Sequence, residues 1–232
     1  MIEFKNVSKR FGQVVALDSI SIDFPQGSII GLFGPNGAGK STIMKLIAGI
    51  NYPDQGEVRV DGELPRAKRQ SIAYLPEIDH LYPWWTLKQA ADFISTFYPD
   101  WDEPRYKDLI PFLNLEEQMI MGKISKGQRA KCKLLLVLAR KASYLLLDEP
   151  FSGIDLLTRE EIADALLRGY LEGEQAIIIS THEIDEIENL VDKVAFIDQG
   201  RIQLQGDAEQ LRMERNKSLV EIMKEVFRHG NR

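Results

Sequence analysis

Three short apolar runs stand out along the chain, each ending in polar or glycine-rich sequence: Ile29-Ile30-Gly31-Leu32-Phe33, Tyr144-Leu145-Leu146-Leu147 and Ala176-Ile177-Ile178-Ile179. Strands that are apolar on both faces belong in a parallel sheet covered by helices on either side. Earlier, Ile20, Ile22 and Phe24 alternate with Ser21 and Asp23, the period of a half-buried antiparallel strand. Helical patterns follow the apolar runs. One is expected from Ser41 to Ala48. Another follows Thr158 and Glu161, which are spaced as a capping box ahead of Ile162, Ala165, Leu166 and Leu171, residues that mostly share a face. From about Asp79 to Lys141 no strand pattern is found. Thr86 and Gln89 make a second capping box, with Ala90, Phe93, Ile94 and Phe97 at helical spacing behind it. Pro99, Pro104 and Pro111 punctuate further helices. The expectation is one α/β domain over 1–232, with 79–141 an inserted helical subdomain and 207–232 a short, charged helical tail.

Composition narrows this picture only slightly. The 232 residues, 44% hydrophobic and 28% charged, are ordinary for a soluble globular domain large enough to bury a core. No apolar run approaches the roughly 20 residues of a membrane helix. The opening MIEFKNVSKRFG lacks the basic-then-apolar layout of a signal peptide, so a cytoplasmic location is expected. Cys132, the one cysteine, cannot form an internal disulfide; among Lys131, Lys133 and Leu134 it is expected as an inert packing thiol. A net charge of −6 argues against a general nucleic-acid binder, and no nucleic-acid partner is expected. His80, His182 and His229 are too far apart to give metal-ligand spacing, so any metal must come with a substrate.

The chemistry lies in three motifs. Gly34-Pro35-Asn36-Gly37-Ala38-Gly39-Lys40-Ser41 fits the phosphate-binding pattern G-x-x-x-x-G-K-[ST], with a strand-like run before it and a helix after. Its glycines let successive N–H groups turn inward on phosphate, and the helix N-terminus adds partial positive charge. Lys40 can reach the β- and γ-phosphates of ATP, the Ser41 hydroxyl can ligate Mg²⁺, and Thr42 completes the candidate contacts. Asp148, at the end of the second apolar run, can hold Mg²⁺ at the carboxyl edge of the sheet. Glu149 beside it is the candidate general base for an attacking water. Just upstream, Ser125-Lys126-Gly127-Gln128 opens a helix expected to reach Arg140. Ser125 and Gln128 would cap it, and Gly127 would leave free N–H groups for a second γ-phosphate.

With these motifs in place, the chain resembles the nucleotide-binding domains of ABC transporters over essentially its whole length. The resemblance implies a RecA-like P-loop NTPase core with an N-terminal antiparallel β subdomain and an inserted helical subdomain. It also implies ATP hydrolysis with Mg²⁺. In that family the Ser-Gly-Gly-Gln signature of one subunit closes over ATP held by the P-loop of another, so a second ATPase subunit, identical or not, is expected. An integral membrane subunit would be the transport partner, placing this chain at the inner face of the cell membrane. Glu149-Pro150-Phe151-Ser152-Gly153-Ile154-Asp155 is similar to the family's strand exit and D-loop. His182 falls at the switch histidine that contacts the γ-phosphate, and Phe11 at the aromatic that stacks on adenine.

Departures from the family pattern are local. Glu77 stands where the family has the Q-loop glutamine; as a carboxylate it can still ligate Mg²⁺. Lys126 replaces the first signature glycine, and Phe151 the usual threonine. The Leu-Pro-Glu and Ser-Lys-Gly combination, with Leu81-Tyr82-Pro83-Trp84-Trp85, resembles bacterial exporter-type ATPases linked to drug or antimicrobial-peptide response. In the family this aromatic stretch faces the membrane subunit; one tryptophan is expected in the core and at least one exposed as an anchor. A soluble ABC ATPase acting on nucleic acid or ribosomes is the competing class. Such proteins usually carry two cassettes, long insertions or zinc cysteines, whereas one cassette and one cysteine are found here.

Overall fold

The computed structural model describes residues 1–170 and 174–229. Leu171 and the last three positions of the expected tail lie outside the described residues. Two sheets are formed. An antiparallel one has the order β2-β1-β4, from β1 (Ile2–Phe11), β2 (Val14–Phe24) and β4 (Gln55–Val60). The other has six strands in the order β5-β6-β7-β3-β8-β9. It comprises β3 (Ser28–Phe33), β5 (Ile72–Leu75), β6 (Tyr144–Asp148), β7 (Ala176–Thr181), β8 (Lys193–Asp198) and β9 (Arg201–Asp207). All pairings in it are parallel except β8 with β9.

The apolar runs are the central strands, and their two faces feed different cores. Ile30, Leu32, Leu146 and Ile178 pack toward the antiparallel sheet and α1 (Lys40–Ile47). Ile29, Phe33, Leu145, Leu147, Ile177 and Ile179 pack toward the remaining helices. Those are α2 (Leu87–Phe97), α3 (Glu103–Phe112), α4 (Lys126–Leu138), α5 (Leu156–Gly169), α6 (Ala208–Arg215) and α7 (Leu219–His229). A strand serving two cores has no polar face, which is why these runs read as continuous. Because β3 sits between β7 and β8, the loops leaving β3, β6 and β7 converge at one carboxyl edge.

Four helix details depart from the sequence expectation. α5 is capped by Asp155, whose Oδ1 accepts from Thr158 N–H at 3.0 Å. That bond holds the Asp155 carboxyl below its ordinary range. Thr158 is thus inside the first turn, and Glu161 pairs with Lys131 Nζ at 2.7 Å instead of closing a box. Asp is as good a cap as Thr, and the turn at Gly153 ends three residues earlier than the Thr158 pattern suggested. The Thr86–Gln89 box is formed, but α2 buries Leu87, Ala90 and Ala91, while Phe93 and Phe97 remain exposed. α4 ends at Leu138, short of Arg140. The tail is two helices, broken at Asn216 in the left-handed region.

Arg140, just past α4, ties the connection between α2 and α3 to the sheet. Its guanidinium is buried, donates to Ile72 O at 2.8 Å and Gln70 O at 2.5 Å, and pairs with Asp100 at 3.0 Å. It also lies 3.6 Å from the centroid of the Tyr98 ring. Cys132 is buried in α4, and burial pushes its thiol up to about 12, leaving no thiolate at neutral pH.

Candidate nucleotide-binding site

β3 delivers Gly34 to the carboxyl edge, where the chain passes so close to β8 that a Cβ would meet Ile197 O at 2.2 Å. Gly39, at φ +113, turns the loop into α1 in a conformation that side-chain-bearing residues avoid. Pro35, Asn36 and Gly37 form an exposed rim, Ala38 and Lys40 are buried, and Ser41 and Thr42 are partly buried. The loop is strapped by Gly200 N–H donating to Ala38 O at 3.0 Å. Lys40 Nζ turns back inside it, donating to Gly34 O at 2.7 Å and Pro35 O at 3.3 Å.

Asp148 ends β6 and is 2% exposed. Its Oδ1 accepts from Ser180 Oγ at 2.6 Å and Ser41 Oγ at 3.1 Å; its Oδ2 accepts from Tyr74 at 3.2 Å. Burial first, then the Asp148 charge, drives the Tyr74 phenol well above its ordinary ionisation range. Glu149 follows at φ +50, a left-handed conformation that strains a side-chain-bearing residue. Its backbone N–H donates to Ser180 O at 3.0 Å, and its carboxylate is almost fully buried. Lys40 Nζ lies 3.0 Å from Oε1, an ion pair without hydrogen-bond alignment, and His182 Nδ1 lies 2.9 Å from Oε2. His182, just past the end of β7, is half-buried. Lys40, Glu149 and His182 therefore stand in one line, a carboxylate held between an ammonium and an imidazole.

A hydroxyl and a carboxylate converging on one point are hard oxygen donors of the kind Mg²⁺ takes when it also shares phosphate oxygens. Among the described residues no group of three or more His, Cys, Asp or Glu gathers to hold a metal unaided. The Ser41–Asp148 pair thus fits an ion that arrives with its nucleotide. Glu77 is exposed and forms no hydrogen bond or ion pair through its carboxylate among the described residues. It shares with Ser41 and Asp148 a groove of about 700 Å³ that runs out to Phe93, Ile94 and Tyr98. Lys133 Nζ holds the backbone there, donating to Pro76 O at 2.9 Å and Glu77 O at 3.2 Å.

The Ser125 segment lies elsewhere. Ser125 and Gln128 cap α4 reciprocally, with Gln128 N–H to Ser125 Oγ and Ser125 N–H to Gln128 Oε1, both at 3.1 Å. Gly127 is buried against Thr158, and the Lys126 side chain lies across Gly153. The adjoining hollow of about 320 Å³ touches Lys126, Arg129, Glu77 and Glu149 but none of residues 34–42. Among the described residues no hydrogen bond or ion pair joins residues 34–42 to residues 125–128. Phe11 is 49% exposed at the end of β1, on the hairpin whose second strand passes Gly39 at Ala16 and Leu17. Two polar contacts of the site lie outside the three motifs: the Tyr74 and Ser180 hydroxyls on Asp148. A phenol inside the run Ile72-Ala73-Tyr74-Leu75 was the available signal for the first.

A glycine cradle around a buried lysine, with a serine and a strand-end carboxylate beside it, defines a P-loop nucleotide site. Residues 17–152 match the family model described as ABC transporter, and the chain belongs to that family. It is 30% identical to the ABC transporter ATP-binding protein YtrB of Bacillus subtilis, over 92% of this chain and 74% of that protein. A solved ATP-binding subunit of an ABC transporter superposes with a TM-score of 0.85 at 25% identity, covering 98% of this chain and 99% of that one. A dimeric ATP-binding cassette in a post-hydrolysis state, bound to ADP and Pi, gives a TM-score of 0.79 at 21% identity, over 90% and 99% of the two chains.

Proposed function

We propose that this chain is the ATP-hydrolysing motor of a membrane transporter, working as one of two such subunits on the cytoplasmic side of a separate membrane-spanning subunit. The observation that carries this is the separation, within one chain, of the Lys40 cradle from the Ser125 helix start. A second subunit placed head to tail supplies the missing half, as the dimeric solved cassette is built from two copies. Phe11 then borders the adenine, residues 34–42 hold the phosphates, and Ser125, Gly127 and Gln128 meet the γ-phosphate from across the interface.

Ser41, Asp148 and Glu77 would hold Mg²⁺, which neutralises phosphate charge when bound. The chain's own residues account for the rest. Lys40 neutralises Glu149 at 3.0 Å, so phosphate oxygens that draw the ammonium away release Oε1 as a base. His182 at 2.9 Å keeps the carboxylate oriented while it accepts a proton from water.

The outer end of the 700 Å³ groove, at Phe93, Ile94 and Tyr98, is the docking site for a short cytoplasmic helix of the membrane subunit. Beside it Trp84 stacks on Tyr82 at 4.9 Å, and Trp85, Phe93 and Phe97 continue the row. Trp84 is 69% exposed, whereas Trp85 packs against the core. Trp84→Ala should leave melting temperature and basal hydrolysis nearly intact while abolishing co-purification with the membrane subunit. Trp85→Ala should destabilise the fold by about 3 kcal/mol or more. Retained co-purification of the Trp84 variant would move the docking site elsewhere.

A further inference from the structure

β5 is the edge strand of the six-stranded sheet, and Tyr74 is the one polar side chain in it. Parallel pairing sets Tyr74 opposite Leu146, two residues short of Asp148, and the length of a phenol covers that offset. Its hydroxyl is the partner of Oδ2, while Ser41 and Ser180 both bond Oδ1. A carboxylate fastened through one oxygen can still pivot about that point; a donor on the other oxygen removes the freedom. Facing a carboxylate oxygen, which can only accept, the phenol O–H is the donor of this bond. The same ring forms part of the wall of the 700 Å³ groove, one hydrogen bond from the carboxylate.

We infer that Tyr74 is a positioning residue for the metal. Its hydroxyl sets the rotation of the Asp148 carboxylate so that Oδ1 stays aimed at Ser41, a role that depends on Asp148 being the metal carboxylate proposed above. Phenylalanine fits the same space and removes only the donor.

The test is Mn²⁺ binding, followed by electron paramagnetic resonance with a non-hydrolysable ATP analogue, for wild type, Tyr74→Phe and Asp148→Asn. Tyr74→Phe should weaken Mn²⁺ binding about 10-fold, the scale of a lost hydrogen bond to a charged group. Its affinity for the analogue in EDTA should stay within about 2-fold of wild type, which a general structural defect would not allow. Weakened Mn²⁺ binding in Asp148→Asn with none in Tyr74→Phe overturns the role of Tyr74 alone. Unchanged binding in both removes Asp148 from the metal site, and Tyr74 with it.

Discussion

The Lys40 loop and the Ser125 helix start, the two segments proposed to meet phosphate, are built in opposite ways. The Lys40 cradle is wired internally: the ammonium is buried, paired with Glu149 and bonded to two loop carbonyls. The Ser125 segment is satisfied only by itself, through an exposed reciprocal cap at a helix start. The first is held by buried charge, the second by a local cap. In the proposed two-subunit site, a half that is exposed has to cap itself.

The largest way to test the contrast is through the base. Glu149→Gln keeps the shape of the wired half but removes its proton acceptor. Turnover should fall by about 100-fold or more while ATP still binds, with a nucleotide-trapped dimer visible by gel filtration. Near-normal phosphate release would remove Glu149 as the base. Lys40→Ala takes the cation from the same half, and affinity for a fluorescent ATP analogue should drop about 10- to 100-fold. An unchanged affinity would contradict the cradle. Ser125→Ala probes the other half and should act differently. It should cost about 1 kcal/mol of stability through the lost cap and lower turnover, yet leave the analogue's affinity within about 2-fold. A binding loss as large as that of Lys40→Ala would mean the two segments meet within one subunit.

How much of this was legible in the sequence follows from interaction range. The glycine-lysine cradle and the Thr86–Gln89 and Ser125–Gln128 boxes are local patterns, closed within a few residues, and form where the spacing says, whereas the Thr158–Glu161 box does not. The central strands were legible because two cores leave them no polar face. β4 and β8 were not, since each pairs with a strand distant in sequence; β9 was missed although it closes a short hairpin with β8. The Tyr74–Asp148 contact spans 74 positions and depends on the register of β5 against β6. Phe93 and Phe97 misled for a related reason: helical spacing shows that a face is apolar but not whether core or groove receives it. Asp155 and Thr158 were both able to cap α5, and only the end of the preceding turn decides between them.

The left-handed backbone at Glu149 sets stability and function against each other. A residue at φ +50 costs the fold something that glycine would recover, and asparagine in part. Selection for thermal resistance alone would therefore favour replacing the very carboxylate that lies between Lys40 and His182. Engineering that ranks substitutions by melting temperature should hold this position fixed, because on the proposed mechanism the more robust protein is the idle one.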